Sequence, residues 1–389
     1  MANVGIVVIA YNRIDSLARV LKSLAMADYE DFSPVLFISI DKSDSTEVVE
    51  FAKKYEWPYG EKRTIEHPQN LGLRKHVLSC GNLLDEFDGL IVLEDDTTVA
   101  PSFYSYAVRA VDYYKDDGAV AGISLYSFLR NYQTGQPFLP LHDISSDVYM
   151  MNCAQSWGQV WMKKQWKDFI SWYAEHDEEF PVMGHLPEAI CRWPKSSWLK
   201  YHTRYCIEED KYFVYPYVAL STNNSDAGTH CGKKNSAFQV PLPTGRNHDF
   251  RFSAIEKSVC YDGFFNCKNI ARYLNMTDDD VCIDFYGTKK NVGKRYLLSP
   301  RRLDYKIERE WSLSLRPYEQ NIIMDNVGSG LFLYDTIKAE KNRSLSGGFV
   351  EYLWPSIDIN NSIRSLSNKD FLKCVLRKIK SITKTMIRQ

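Results

Sequence analysis

The chain has 389 residues, 44% of them hydrophobic and 14% aromatic, with 48 basic and 49 acidic side chains for a formal charge of −1. This composition excludes disorder and supplies apolar surface for one large or two medium cores. The balanced charge removes the general case for a nucleic-acid binder, and no apolar run approaches the roughly 20 residues of a membrane helix.

From residue 4 to about 122, short apolar runs alternate with amphipathic stretches. Val4 to Ala10 reads as a buried strand, and Ile14 to Met26 as a helix with Ile14, Leu17, Val20, Leu21 and Leu24 on one face. Val35 to Ile40 is a second strand, followed by a helix capped within Ser43-Asp44-Ser45 and running to about Tyr55. Arg63 to Glu66 is a third strand, Gly72 to Phe87 a helix, and Gly89 to Leu93 a fourth strand. Pro101 to Tyr114 is a helix with proline in its first turn, and Ala119 to Ile123 a fifth strand. This alternation predicts an α/β fold with a mainly parallel sheet covered on both faces, and places ligands at the carboxyl ends of the strands.

Residues 124 to 240 are rich in Trp and Tyr, with helices expected at Lys163 to Glu175 and Ser196 to Glu208 and a strand at Tyr212 to Leu220. Short alternating runs at Val281 to Tyr286, Lys306 to Leu315 and Leu331 to Tyr334 predict a small β-rich appendage. The expected divisions are 1–244 (halves 1–123 and 124–244), 245–361 and 362–389. The last segment carries eight basic residues against Asp370 alone, net +7, leaving −8 for the preceding 361 residues. Phe371, Leu372, Val375, Leu376, Ile379, Ile382 and Met386 form one helical stripe. This basic amphipathic helix reads either as lying on an anionic membrane surface or as docked on the protein with a solvated cationic face.

The start of the chain has no basic leader, so a cytoplasmic protein is expected, peripheral on the inner face of the plasma membrane if the tail binds lipid. Nine scattered cysteines without a C-x-x-C pair read as reduced thiols. His230-Cys231 lacks the second pair that structural zinc requires.

Three strand ends carry polar residues that a buried strand does not need: Ala10-Tyr11-Asn12-Arg13, Asp41-Lys42-Ser43-Asp44-Ser45 and Glu94-Asp95-Asp96-Thr97. Adjacent carboxylates repel unless a cation neutralises them, and hard oxygen ligands suit Mg2+ or Mn2+ bridging to phosphate. A solvated turn before the next helix is the structural alternative.

Together these segments resemble the GT-A glycosyltransferases, Rossmann-like nucleotide-sugar enzymes, and specifically the family-2-like members. There is also a likeness to the family of the GlcNAc-transferase that opens hybrid N-glycan synthesis. The matching residues are Ala10, Tyr11, Asn12 and Arg13 under the nucleotide, Asp41 at the base, and Glu94-Asp95-Asp96 at ribose and metal. Asn70-Leu-Gly72-Leu-Arg74 looks like the family's N-x-G stretch with a phosphate-reaching basic residue, and Val99-Ala-Pro-Ser-Phe103 like its V-x-P-x-F pattern. The likeness is strong over residues 4–122 and weaker to about 232.

In the weaker part, Ser156-Trp157-Gly158-Gln-Val-Trp161 looks like the G-W-G-W segment lining the sugars, although Trp157 and Trp161 also fit core packing. The stretch from Ser221 to His230 looks like the closing loop, with Asp226 within it and His230 near metal or diphosphate. One departure is clear: Trp198 is followed by Leu199-Lys200, where the related GlcNAc-transferases carry the catalytic Asp. Glu208, Glu209, Asp210 and Asp226 are the replacement candidates for the base.

The resemblance implies inverting sugar transfer, with Mn2+ or Mg2+, from a nucleoside diphosphate sugar (UDP-sugar) to a glycan or lipid-linked hydroxyl, in the setting of bacterial surface polysaccharide. A non-catalytic module that binds nucleotide sugar or glycan remains open, as does a sugar nucleotidyltransferase. The latter favours a Gly-rich basic loop after strand one, which Ala10-Tyr11-Asn12-Arg13 is not.

Overall fold

The computed structural model describes residues 1–226, 236–246, 249–290 and 292–341, together with 367, 368, 371, 372, 375, 376 and 379. His230 and most of the basic tail lie outside the described residues.

The first half alternates as its periodicity requires: β1 (Val4–Ala10), α1 (Ile14–Ala25), β2 (Leu36–Ile40), α2 (Glu47–Lys54), β3 (Lys62–Glu66), α3 (Leu73–Cys80), β4 (Gly89–Glu94), β5 (Thr97–Val99), α4 (Phe103–Tyr114) and β6 (Val120–Ser124). The second half contributes β7 (Val148–Met151), β8 (Gln159–Met162), α5 (Lys163–His176), α6 (Glu188–Cys191), α7 (Leu199–Glu208), β9 (Tyr212–Pro216), β10 (Ser221–Asn223) and β11 (Cys260–Tyr261). The appendage comprises β12 (Val281–Ile283), β13 (Tyr296–Ser299), β14 (Tyr305–Trp311), α8 (Gln320–Ile323) and β15 (Leu331–Ala339).

Every residue of β1 is buried, as a strand covered on both faces must be. Ile6 and Val8 join Leu17 and Val20 of α1, Val48 of α2 and Phe103 of α4 in one core. Val7 and Ile9 join Val77 of α3, Phe169 of α5 and Tyr205 of α7 in the other.

The nine-stranded sheet has the order β11-β7-β9-β6-β8-β4-β1-β2-β3. The strands β3, β2, β1 and β4 pair in parallel, β8 runs antiparallel between β4 and β6, and β6 runs parallel to β9. The expected α/β architecture therefore holds, with antiparallel strands inserted where the Trp- and Tyr-rich half joins.

Three local expectations are revised. The helix expected to reach Phe87 stops at Cys80 and tightens into a 3-10 turn over Gly81–Asp85. Gly81 lies against Trp166, where a Cβ would stand 2.0 Å from the indole nitrogen. The helix expected to be capped within Ser43-Asp44-Ser45 starts instead at Glu47, after Thr46. At the far edge, Cys260–Tyr261 pairs with β7, so the main sheet extends beyond residue 244.

The appendage forms a four-stranded sheet, β12-β13-β15-β14. Trp311, Tyr318 and Leu331 pack into the same core as α3 and α5, so it is fused to the domain rather than tethered. At this seam Glu319 is buried, and burial pushes its carboxyl up to about 7 against hydrogen bonds from its own and the Cys267 backbone and from Tyr261. The seven described cysteines are buried and unpaired. Among the described residues no helix is long and apolar enough to cross a membrane.

Candidate functional site

A cavity of about 410 Å³ opens at the carboxyl ends of β1, β2 and β4. Its lining gathers the three polar strand ends: Ala10, Tyr11, Asn12 and Arg13 after β1, Asp41 after β2, and Glu94, Asp95 and Asp96 at the end of β4, with Asn70, Gly72, His76, Ser196 and Asp226 around them. Parallel pairing of β1 with both β2 and β4 aligns these ends in one row.

The acidic end holds three carboxylates and one cation. Arg13 donates from Nε to Asp95 Oδ2 at 3.2 Å and from Nη2 to Asp95 Oδ1. Burial pushes Asp95 up to about 6 in spite of this pairing. Glu94 is pushed up to about 8, first by burial and then by the charges of Asp96 and Asp95. Burial raises Asp96 as well. Asp96 Oδ1 is buried with no hydrogen-bond partner among the described residues. An unpaired buried carboxylate oxygen is costly, so this donor set fits a divalent cation. Among the described residues no three acid, histidine or cysteine side chains converge as a complete ligand cage.

The backbone around Asp96 is fixed by a short ribbon in which β5 pairs antiparallel with β10. Asn224 donates to the Asp96 carbonyl from its backbone N–H at 2.7 Å and from Nδ2 at 2.9 Å. The same ribbon delivers Asp226, which accepts from Ser16 Oγ at 2.8 Å and pairs with Arg19, both on α1.

Asp41 has a structural task inside the cavity. Its Oδ1 accepts from Lys42 N at 2.9 Å and Leu71 N at 2.8 Å, and its Oδ2 from Gly72 N at 2.9 Å. This clamps the loop that starts α3, where Gly72 takes φ +74°, a conformation that disfavours any side chain. Asn70 Nδ2 donates to the Lys42 carbonyl at 2.9 Å.

Other expected site residues lie elsewhere. Arg74 does not line the cavity: it donates to Tyr201 Oη at 2.7 Å and to the Asp177 carbonyl at 3.1 Å, with its guanidinium over the Tyr201 ring. It therefore joins α3 to α7. Trp157 packs on Tyr126 and Phe238, and its carbonyl accepts from Ser221 Oγ. Gly158 takes φ +90°, and a Cβ there would stand 2.7 Å from Ser221 Oγ, so both residues support the ribbon from behind. Trp161 is core, stacked on Trp166 at 3.8 Å.

The acidic run at 208–210 is remote. Because β9 runs in the same sense as β4, the residues before Tyr212 fall at the amino edge of the sheet, opposite the cavity. Burial would raise Glu208, but Arg204 and His185 overcome it and hold the carboxyl below its ordinary range. Asp210 pairs with Lys268 at 2.6 Å, and Glu209 is exposed. Lys200, standing near the family's base position, is buried and donates to the Cys191 and Trp193 carbonyls at 3.3 and 3.1 Å. Of the four replacement candidates for the base, Asp226 alone lines the cavity.

Sequence reasoning missed His76, Ser39 and Ser196. A polar residue inside the otherwise apolar strand Leu36-Phe-Ile-Ser39-Ile40 was the available signal for the first two.

Residues 5–144 match the family profile of glycosyl transferase family 2. No curated protein matches the chain. Similar solved structures include the mannosyltransferase PcManGT from Pyrobaculum calidifontis in complex with GDP-Man and Mn2+ (12% identity, TM-score 0.34, 56% of this chain and 57% of that one). Others are GalNAc-T7 with UDP, GalNAc and Mn2+ (11%, 0.38, 57% and 43%) and S. aureus TarS 1-349 in complex with UDP-GlcNAc (12%, 0.34, 59% and 60%). The alignments span between 43% and 60% of these relatives' lengths. Residues 5–144, the segment that carries all three polar strand ends, are thus similar to glycosyl transferase family 2.

Proposed function

We propose that this chain is a metal-dependent inverting glycosyltransferase, moving a sugar from a UDP-sugar to a hydroxyl of a glycan or lipid-linked acceptor in surface polysaccharide synthesis. The observation that carries the reading is Asp96 Oδ1, without a partner among the described residues, in a cavity walled by the three polar strand ends of a segment that matches the family 2 profile.

Asp96, with Glu94 beside it, would hold Mn2+ or Mg2+, whose charge offsets that developing on the diphosphate leaving group. Arg13 is held by Asp95, so its guanidinium is already oriented at the cavity wall. Asp226, positioned by Ser16 and Arg19, takes the acceptor proton. The acceptor oxygen bonds to the anomeric carbon as the carbon–oxygen bond to the diphosphate breaks, and one displacement inverts the centre.

The test is a thermal-shift screen of nucleotide sugars with and without Mn2+. A donor at about 100 times its Kd should stabilise the fold by about 2.7 kcal/mol, and only when metal is present. Failure of every nucleotide sugar to raise the melting temperature would refute the donor assignment.

The tail supports a membrane-facing acceptor. Phe371, Leu372, Val375, Leu376 and Ile379 are all exposed apolar side chains in a segment of net charge +7. Each basic residue near anionic lipid contributes about 1 kcal/mol. A chain ending at residue 361 should remain in the supernatant with anionic vesicles that sediment the full chain, and equal sedimentation of both would exclude the tail from membrane binding.

A further inference from the structure

The cavity wall between β2 and α3 differs in chemistry from the acidic end. Asp41 is engaged with three backbone N–H groups. The side chains beside it are Asn70, Leu73 and His76. His76 is only 2% exposed, and its Nε2 lies 2.8 Å from Ser39 Oγ. The same hydroxyl lies 3.3 Å from Nε2 of His67, and the two imidazoles meet edge to face at 4.8 Å.

A serine hydroxyl has one proton to donate, so it can donate to one ring while accepting an N–H from the other. That chain couples the tautomers of His67 and His76. Burial, reinforced by His67, lowers His76 to about 4, so the ring is neutral near pH 7. With Nε2 taken by Ser39, a ligand in the cavity meets His76 through its other ring nitrogen or its face. A diphosphate gains little from a neutral imidazole and a leucine. A planar base, flat and carrying a hydrogen-bonding edge, suits both.

Resting on the donor reading above, we propose that His76 discriminates the nucleobase of the donor nucleotide, and that Ser39 and His67 are positioning residues that set its tautomer. The mechanism described above does not use any of the three.

The experiment measures, on the full chain with Mn2+, the Kd values of UDP, GDP and inorganic pyrophosphate. His76→Ala should weaken UDP about tenfold, the loss of one hydrogen bond, and bring the UDP to GDP ratio close to one. Pyrophosphate affinity should stay unchanged. His67→Ala should move the ratio in the same direction by a smaller factor, because His67 acts on the ligand only indirectly, through Ser39 and its edge contact with His76. His76→Gln keeps a side-chain hydrogen bond and should retain most of the selectivity, which also serves if the alanine variant fails to fold. An unchanged UDP to GDP ratio in a folded His76→Ala or His76→Phe chain overturns the proposal. So does a parallel loss of pyrophosphate affinity, the mark of a general structural role. Absence of nucleoside diphosphate binding by the unaltered chain would instead overturn the donor reading, and is seen before any variant is compared.

Discussion

Asp96→Asn should lower kcat by about 10²–10³, the cost of removing one group that stabilises charge at the reacting centre. The substitution keeps the side chain's size and removes its charge. The fold should not suffer: Asp96 Oδ1 has no partner among the described residues, and burial already raises the carboxyl. Losing an uncompensated buried charge is neutral or stabilising, so the melting temperature without metal should be equal to or above that of the unaltered chain. Turnover with Mn2+ and metal-free unfolding, measured side by side, separate the two effects. Unimpaired turnover in the variant would remove the centre of the proposed mechanism.

Asp226→Asn should reduce kcat by about 10²–10⁴, the range of general base catalysis, while UDP affinity changes little. Asparagine still accepts from Ser16, so the β5–β10 ribbon and its link to α1 persist. The contrasting variant is Glu208→Gln, which removes a carboxylate paired with Arg204 and His185 at the far end of α7. Ten helical residues place that end roughly 15 Å from the Ser196 end. Its turnover should therefore stay within about twofold of the unaltered chain. A reversal, with Glu208→Gln inactive and Asp226→Asn unimpaired, would sink the base assignment. Neither transfer nor donor hydrolysis by an unaltered chain that binds nucleotide would favour a non-catalytic binding module.

The strand ends were legible because a buried parallel strand announces itself by continuous apolar residues. Polar residues just beyond Ala10, Ile40 and Leu93 then stand out, and pairing in register brings them together. Long-range partners were not legible. Nothing near Arg74 in sequence points to Tyr201, 127 positions away, which makes the arginine a strut. The run Glu208-Glu209-Asp210 looks catalytic by composition, but its distance from the site follows from the direction of β9, which no local pattern encodes. The antiparallel insertion of β8 escaped for the same reason, since strand order depends on tertiary packing rather than on propensity.

The clamp formed by Asp41 also bears on binding thermodynamics. Three backbone N–H groups of two separate segments converge on one carboxylate through bonds made wholly within the chain. The entrance to α3 is therefore already assembled when a nucleotide arrives, and little of this wall remains to be ordered. Less conformational entropy is lost on association, so affinity differences among nucleotides at this end should report direct contacts rather than loop closure.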